Sequence, residues 1–250
     1  PDDDGADFGV LFWHKDGYST ACGHGTIALG AWAVESGRVE GPEVTIDVPS
    51  GRVVAIVGSD SVTFRNVPAY VIARDVSAAG VRADISYGGA IYASVAAGDL
   101  GLSVRPELVS DLIAAGRAVK AALSGTEVAR HPSDERLSGI YGTIIYEDLG
   151  DTDRGPHQRN VTVFADGEVD RSPCGSGTSA RMALLASDGR LDAGRVLTHD
   201  SIVGTTFTAR VTGRVGEAVI TEVEGAAYRT GEHRFVLDPR DPVGTGFALR

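Results

Sequence analysis

The sequence predicts a mixed, mostly antiparallel α+β chain. Many short apolar runs of strand length are separated by Gly- and Pro-containing turns, only three stretches have helix composition, and the strand–helix–strand alternation of a doubly wound sheet is absent. Glycine is abundant, 33 of 250 residues, against a usual ~7%. It follows no period and is not accompanied by Ser- or Gln-rich stretches. Low complexity is thereby excluded, and the glycines are expected to serve turns, sheet corners and close backbone approaches.

The elements follow in order. Phe8 to His14 is an apolar, aromatic run of strand length, and Lys15-Asp16-Gly17 is a turn. Ile27 to Glu35 has helix composition and is apolar on nearly all sides, so it is expected to be buried all round, with Gly37 at its stop. Val44–Val48, Arg52–Val57 and Ser61–Asn66 read as strands joined by Pro49-Ser50-Gly51 and Gly58-Ser59-Asp60. Ala69–Ile72 and Arg82–Ser86 are further strands; Tyr87-Gly88-Gly89-Ala90 breaks the backbone and Ile91–Val95 resumes it. Pro106 to Leu123 is an amphipathic helix with Leu108, Leu112, Ile113, Ala115 and Val119 on one side. Ser124 to Ser138 reads as a polar loop, Ile140–Glu147 as a strand, Asp148–Arg159 as a charged loop and Val161–Phe164 as a strand. Ala180 to Ser187 is a second helix rich in Ala and Leu, and Ile202 to Leu249 is expected to be strands and turns.

A chain of 250 residues that is 42% hydrophobic buries a core without a metal or disulfide staple, as one large domain or two smaller ones. With 23 basic and 34 acidic residues the net charge is −11, which disfavours nucleic-acid and anionic-membrane partners. No apolar run approaches the ~20 residues that span a bilayer, and no signal peptide is recognisable. Two cysteines do not make a disulfide framework, so reduced thiols and a cytoplasmic location are expected. The opening Pro1-Asp2-Asp3-Asp4 reads as the inside of a loop, as if a natural N-terminus were missing.

Both cysteines fall in an internal repeat. Residues 21–28 read Ala-Cys-Gly-His-Gly-Thr-Ile-Ala and residues 173–180 read Pro-Cys-Gly-Ser-Gly-Thr-Ser-Ala. Each copy is a Gly-rich loop entering an apolar helix. The first backbone N–H groups of a helix have no partners within it and carry its positive dipole end, so glycines there admit an anion. A thiol at that point is expected to have its pKa drawn from ~8.5 toward neutrality. Two such units can face each other across one ligand. Inverting a carbon acid needs a base on one face and an acid on the other, and a thiolate–thiol pair can exchange those roles. The helix ends would bind a carboxylate and stabilise charge delocalised into it.

The flanks differ. Asp170 lies four residues before Cys174, and His24 two after Cys22; a carboxylate and an imidazole suit a substrate ammonium or ring nitrogen. An amino acid is the expected ligand. Inert thiols, simple turns, a helix-start hydrogen bond for His24 and a capping carboxylate for Asp170 are the competing structural readings. His14, His131, His157, His199 and His233 have no motif around them and read as structural or surface residues. Gly23-x-Gly25-x-x-Ala28 formally matches a dinucleotide fingerprint without its strand–helix–strand context. Cys22-x-His24 lacks further metal ligands at a suitable spacing.

At these residues the sequence resembles the proline racemase family, which includes hydroxyproline 2-epimerases and trans-3-hydroxy-L-proline dehydratases. The matching segments are Gly17 to Ala28, Asp84 to Gly89, Tyr141-Gly142-Thr143, Asp166 to Arg181 and Arg229 to Leu249. The resemblance implies a diaminopimelate-epimerase-like fold of two pseudo-symmetric lobes, each with strands wrapped round a central helix. On that basis residues 1–75 plus 228–250 are assigned to an N-terminal lobe, truncated at its start, and 76–227 to a C-terminal lobe. It implies a homodimer that needs no cofactor or metal. Cys22 and Cys174 match the catalytic pair, Asp170 and His24 the contacts to the substrate nitrogen, and Gly25, Thr26, Gly175 and Ser176 the backbone groups that hold the carboxylate. The scaffold looks most like the dehydratase branch, which typically has Thr where this chain has Cys174. A dehydratase needs one base. The second thiol therefore favours racemisation or epimerisation of proline or 4-hydroxyproline, with single-base dehydration by Cys22 as the alternative and a non-catalytic amino-acid-binding or thiol-redox module behind both.

Overall fold

A computed structural model describes residues 3–247; Pro1, Asp2 and the end of the C-terminal stretch, including Leu249, lie outside the described residues. In chain order the elements are β1 (Phe8–Gly9), β2 (Phe12–His14), β3 (Gly17–Ser19), α1 (Gly23–Glu35), β4 (Glu43–Val48), β5 (Gly51–Val57), β6 (Val62–Arg65), β7 (Tyr70–Ala78), β8 (Val81–Tyr87), β9 (Ile91–Ala96), α2 (Val109–Leu123), β10 (Ile140–Thr152), β11 (Gly155–Phe164), β12 (Glu168–Val169), α3 (Gly175–Ser187), β13 (Val196–Ser201), β14 (Thr206–Val215) and β15 (Ala218–Gly225). The architecture is mixed α/β, a large sheet with few helices, as the short apolar runs predict. Its strand order is β1-β4-β5-β6-β15-β14-β13-β11-β10-β9-β8-β7, with β12 on β11; only β1–β4, β9–β10 and β11–β13 are parallel. β2 and β3 form a separate hairpin.

The sheet serves the two helices that carry the repeat. β4, β5 and β6 pack on α1. At the other end of the order, β7 returns beside β15 through an isolated bridge, Ala69 to Val219. The strands from β15 to β7 therefore curve round α3, which contacts β7, β8, β9, β14 and β15 and is buried at every position from Gly175 to Ala186. The β6–β15 ladder joins the two regions. Across it, buried Glu222 accepts from Arg65 at 2.8 Å and from Arg210 at 2.5 Å, so three strands share one charge cluster. α2 lies on β10 and β11 through Leu112, Gly116, Val119 and Leu123.

Four expectations are corrected. α1 is not buried all round: His24, Ala28, Trp32 and Glu35 form an exposed stripe, because strands cover only its other face. Both repeat helices begin earlier than their composition suggests, at Gly23 and Gly175, since the glycines that weaken helix propensity are their first turns. Asp148–Arg159 is not a loop but the tip and return of the β10–β11 hairpin. The tip stays exposed, but on the return strand the side chains of Gln158 and of the following Asn160 are buried: Gln158 accepts from Arg181, and Asn160 donates to the Pro173 carbonyl. Strands in the C-terminal stretch end at Gly225, after which residues 226–247 contain no helix or strand.

The helix N-termini meet head to head. A Cβ on Gly23 would lie 2.6 Å from the Gly175 Cα, and one on Gly175 would lie 2.7 Å from the Gly23 Cα. Backbone against backbone cannot yield as a side chain can. Gly23→Ala or Gly175→Ala is expected to lower the urea midpoint by the equivalent of ~1–3 kcal/mol or more, the usual cost of overpacking. Gly98→Ala, whose Cβ meets no atom within 4 Å, is the control and is expected to leave it unchanged.

Candidate functional site

Each cysteine is the N-cap of its helix, Cys22 of α1 and Cys174 of α3. The Cys-Gly-x-Gly pattern then has a geometric meaning. Its first glycine is the point where the helices touch. Its second is the seat of the sulfur: a Cβ on Gly25 would lie 2.9 Å from Cys22 Sγ, and one on Gly177 would lie 3.0 Å from Cys174 Sγ. Both thiols thus lean over the first turn of their own helix. The two backbones differ, however. Cys22 is extended at φ −149°, whereas Cys174 has φ +66°, a region that costs a non-glycine residue ~1–3 kcal/mol.

The helix ends open on a cavity of about 210 Å³ lined by Cys22, His24, Asp170, Cys174 and Ser176, all expected there, and roofed by Phe12, Trp13, His14, Tyr92, Tyr141 and Phe164. Gly23, His24 and Gly25 precede the first helical hydrogen bond of α1, and Gly175 and Ser176 precede that of α3, so their N–H groups lack helical partners, while the Gly177 N–H faces the Cys174 sulfur. Thr26 is a correction. Its N–H and its hydroxyl both donate to the Cys22 carbonyl, each at 2.9 Å, so it closes the first helical turn and has no N–H left for a ligand.

Asp170 and His24 meet across the junction, with His24 Nδ1 3.2 Å from Asp170 Oδ2. Burial by itself pulls the imidazole pKa down, but the hydrogen bonds and negative charge of Asp170 and then Cys22 outweigh it and push it up to about 11. Burial likewise pushes Asp170 up, and His24 together with two hydrogen bonds from Ser172 reverses that, holding the carboxyl below its usual range. Ser172 also lies 3.3 Å from His24 and accepts from the Cys174 N–H at 3.1 Å.

Cys174 departs from the expectation of a thiol drawn toward neutrality. It is buried, and burial, with the Asp170 charge behind it, pushes its pKa up to about 12; the Tyr92 hydroxyl at 3.6 Å and the Gly177 N–H pull only weakly the other way. The helix dipole cannot offset the loss of water around this sulfur. Burial therefore favours the thiol form of Cys174. Cys22 is less buried and sits beside the His24 imidazolium.

Three contributors were not singled out in the sequence. Tyr92 is fully buried, and its hydroxyl bonds to Ser176 Oγ at 2.7 Å as well as facing Cys174. Ser172 ties Asp170, His24 and Cys174 together. His14, read as structural or surface, stands in the cavity wall beside the stacked rings of Tyr141 and Phe164. The sequence signal for Ser172 was its place between Asp170 and Cys174; for Tyr92 and His14 no local motif existed.

The proline racemase family profile matches residues 1–248. The chain is 46% identical over 263 residues to a trans-3-hydroxy-L-proline dehydratase of Burkholderia cenocepacia, covering 98% of this chain and 78% of that one. It is also 46% identical, over 265 residues and with the same coverage, to a 3-hydroxyproline 2-epimerase of Burkholderia multivorans. Among solved structures, a hydroxyproline epimerase of Agrobacterium vitis with bound trans-4-hydroxy-L-proline superposes with a TM-score of 0.85 at 31% identity, over 100% of this chain and 76% of that one.

The ion pair across the junction sets a pH window. The Asp170 contribution to stability is present above the ordinary carboxylate pKa of ~4 and is lost as pH falls through the lowered value. The His24 contribution is full below the ordinary ~6.5 and fades as pH rises toward the raised one. Asp170→Asn is therefore expected to lower the urea midpoint most between about pH 4 and 6.5, with the gap narrowing on both sides. In the same variant the His24 imidazole resonances are expected to titrate at or below the ordinary histidine value, whereas in the unsubstituted protein they stay in the protonated position through neutral pH.

Proposed function

The chain belongs to the proline racemase family, and from that premise we propose that it is a cofactor-independent racemase or epimerase that inverts the α-carbon of proline or 4-hydroxyproline with two thiols. The observation that carries the reading is the convergence of Cys22 and Cys174, one from each copy of the repeat, on a single small cavity at two apposed helix N-termini. A lone base would not need the second thiol.

The mechanism follows from the placement of the groups. The substrate carboxylate takes the unpaired N–H donors of the two helix ends, where the positive dipole ends add. The ammonium takes Asp170 Oδ2, the atom that also faces His24 Nδ1 at 3.2 Å. Cys22 Sγ, as thiolate, removes the α-proton, and the electron pair of the broken C–H bond moves into the carboxylate. There the helix N–H groups stabilise the growing charge. Cys174 Sγ–H gives its proton to the opposite face. The product has inverted configuration, and the two sulfurs have exchanged protonation states. The cavity volume suits one small ring amino acid rather than a peptide.

Dehydration of trans-3-hydroxy-L-proline is the second reading, favoured by the 46% identity to a protein of that name. There Cys22 would remove the α-proton, the electron pair of that bond would form the ring double bond as the 3-hydroxyl leaves as water with the proton from Cys22, and the enamine would tautomerise to the imine without reprotonation by Cys174.

Proton NMR in D2O separates the two, with proline, trans-4-hydroxy-L-proline and trans-3-hydroxy-L-proline each supplied alone. Loss of the α-proton signal with growth of the opposite epimer supports the two-thiol reading. Imine from the 3-hydroxy compound, with no epimer from any substrate, overturns it. Cys22→Ser and Cys174→Ser are each expected to abolish inversion, and pyrrole-2-carboxylate, planar like the carbanion, is expected to inhibit competitively. An active Cys174→Ser variant would remove the second thiol from the mechanism.

A further inference from the structure

His199, on β13, is fully buried and lies outside the cavity. Its Nε2 is 2.9 Å from Asn160 Nδ2, and its Nδ1 is 2.9 Å from Thr178 Oγ1. An amide NH2 group can only donate, so Nε2 accepts and the proton of the neutral ring sits on Nδ1. Nδ1–H then donates to Thr178 Oγ1. That leaves the Thr178 hydroxyl proton for the Pro173 carbonyl, 3.3 Å away. The second Asn160 N–H reaches the same carbonyl at 3.1 Å. Four groups close a ring in which every proton has an acceptor. Burial, reinforced by the nearby Arg181 charge, pulls the imidazole down to about 3, so the neutral form that the ring requires is the one present. A protonated ring would face the Asn160 amide donor to donor.

The Pro173 carbonyl belongs to the peptide that enters Cys174 and sets its φ of +66°. The Thr178 N–H holds the next carbonyl, that of Cys174, at 2.7 Å. Both peptides flanking the cysteine are thereby fixed. The first copy of the repeat lacks this arrangement. Thr26, in the same motif position as Thr178, turns its hydroxyl to the Cys22 carbonyl, and Cys22 is extended. One threonine in one motif thus does two jobs, and what differs is the His199–Asn160 pair behind the second copy.

We infer that His199, Asn160 and Thr178 are positioning residues that lock the Pro173–Cys174 peptide in its positive-φ turn and so hold the Cys174 sulfur over Gly177 and within reach of Tyr92. The inference rests on the two-thiol reading for its consequence in catalysis, but not for its geometry. Released from the turn, Cys174 would relax toward an extended backbone and its sulfur would leave the buried seat.

The test compares Thr178→Val, which removes the hydroxyl at nearly constant volume, with Thr178→Ser, which restores it. His199→Gln is the second variant, keeping a partner for Asn160 while withdrawing the donor to Thr178. The rate at which methyl methanethiosulfonate modifies each cysteine is followed by mass spectrometry, alongside kcat and KM for inversion. In Thr178→Val, kcat is expected to fall on the order of 10- to 100-fold with KM little changed, Cys174 modification to rise about 10-fold and Cys22 modification to stay within about twofold, the scale expected for a misplaced reacting group. Thr178→Ser is expected to restore both rates, and His199→Gln to shift them in the same directions as Thr178→Val. If Cys174 reactivity is unchanged in both Thr178→Val and His199→Gln, or if the two thiols rise together as general loosening would make them, the inference is overturned. Absence of inversion in the unsubstituted protein, with the selective change at Cys174 still present, would refute the proposed function and leave the positioning network standing.

Discussion

The structure turns on the contact between Gly23 and Gly175. Two helices point their N-termini at each other there, each end carrying ~+0.5 charge, and like ends repel. The surrounding sheet imposes the contact: β4–β6 hold α1 on one side, and the strands from β7 to β15 enclose α3 on the other. Negative charge at the junction lowers the cost of the arrangement. Asp170, buried at the seam, supplies such a charge and shares it with the His24 side chain across the junction. The glycines are equally constrained, because any Cβ at the contact would meet main chain rather than a side chain that can move aside.

The second consequence is an unequal pair of thiols on a nearly equal pair of motifs. Enclosure of α3 by strands all round strips water from Cys174, and desolvation outweighs the helix dipole that would favour its thiolate. α1 is open along His24, Ala28 and Trp32, and Cys22 shares that opening. The difference in burial follows from how many strands cover each helix, so the unequal desolvation of the two thiols is set by sheet topology rather than by local sequence.

Much of this was legible in the chain. The repeat placed both cysteines, the glycines and the helix starts, and Asp170 and His24 stood out because they break the symmetry of the two copies. The alternation of apolar runs gave most strands of the sheet. Where the reading failed, long-range partners had replaced local signals. Gln158 and Asn160 look like loop residues, yet they are buried, where the Gln158 Oε1 accepts from Arg181 and Asn160 donates to the Pro173 carbonyl. His199 carried no motif because its partners lie 39 residues back, in Asn160, and 21 back, in Thr178. Tyr92 is one aromatic among small residues in an ordinary strand pattern, and only the curvature of the sheet brings it to the sulfur. α1 and α3 have similar composition, and nothing in either helix reports how many strands will cover it.

On the two-thiol reading, the unequal burial also fixes the order of events. Burial favours Cys174 as the thiol, so the cycle begins with a proton taken on the face served by Cys22 and one returned on the face served by Cys174. One turnover leaves the reverse pattern, with the charge on the buried Cys174 sulfur, where desolvation disfavours it. That form must return a proton from the Cys22 side to the Cys174 side before the same enantiomer can react again. A substrate of opposite configuration would meet that form ready to act. The Tyr92 hydroxyl and the Gly177 N–H, both directed at the Cys174 sulfur, stabilise the thiolate that must exist there for part of every cycle. The Gly177 N–H is a fixed donor, whereas the Tyr92 hydroxyl, shared between Cys174 Sγ and Ser176 Oγ, can donate to the thiolate or accept from the thiol as the cycle requires.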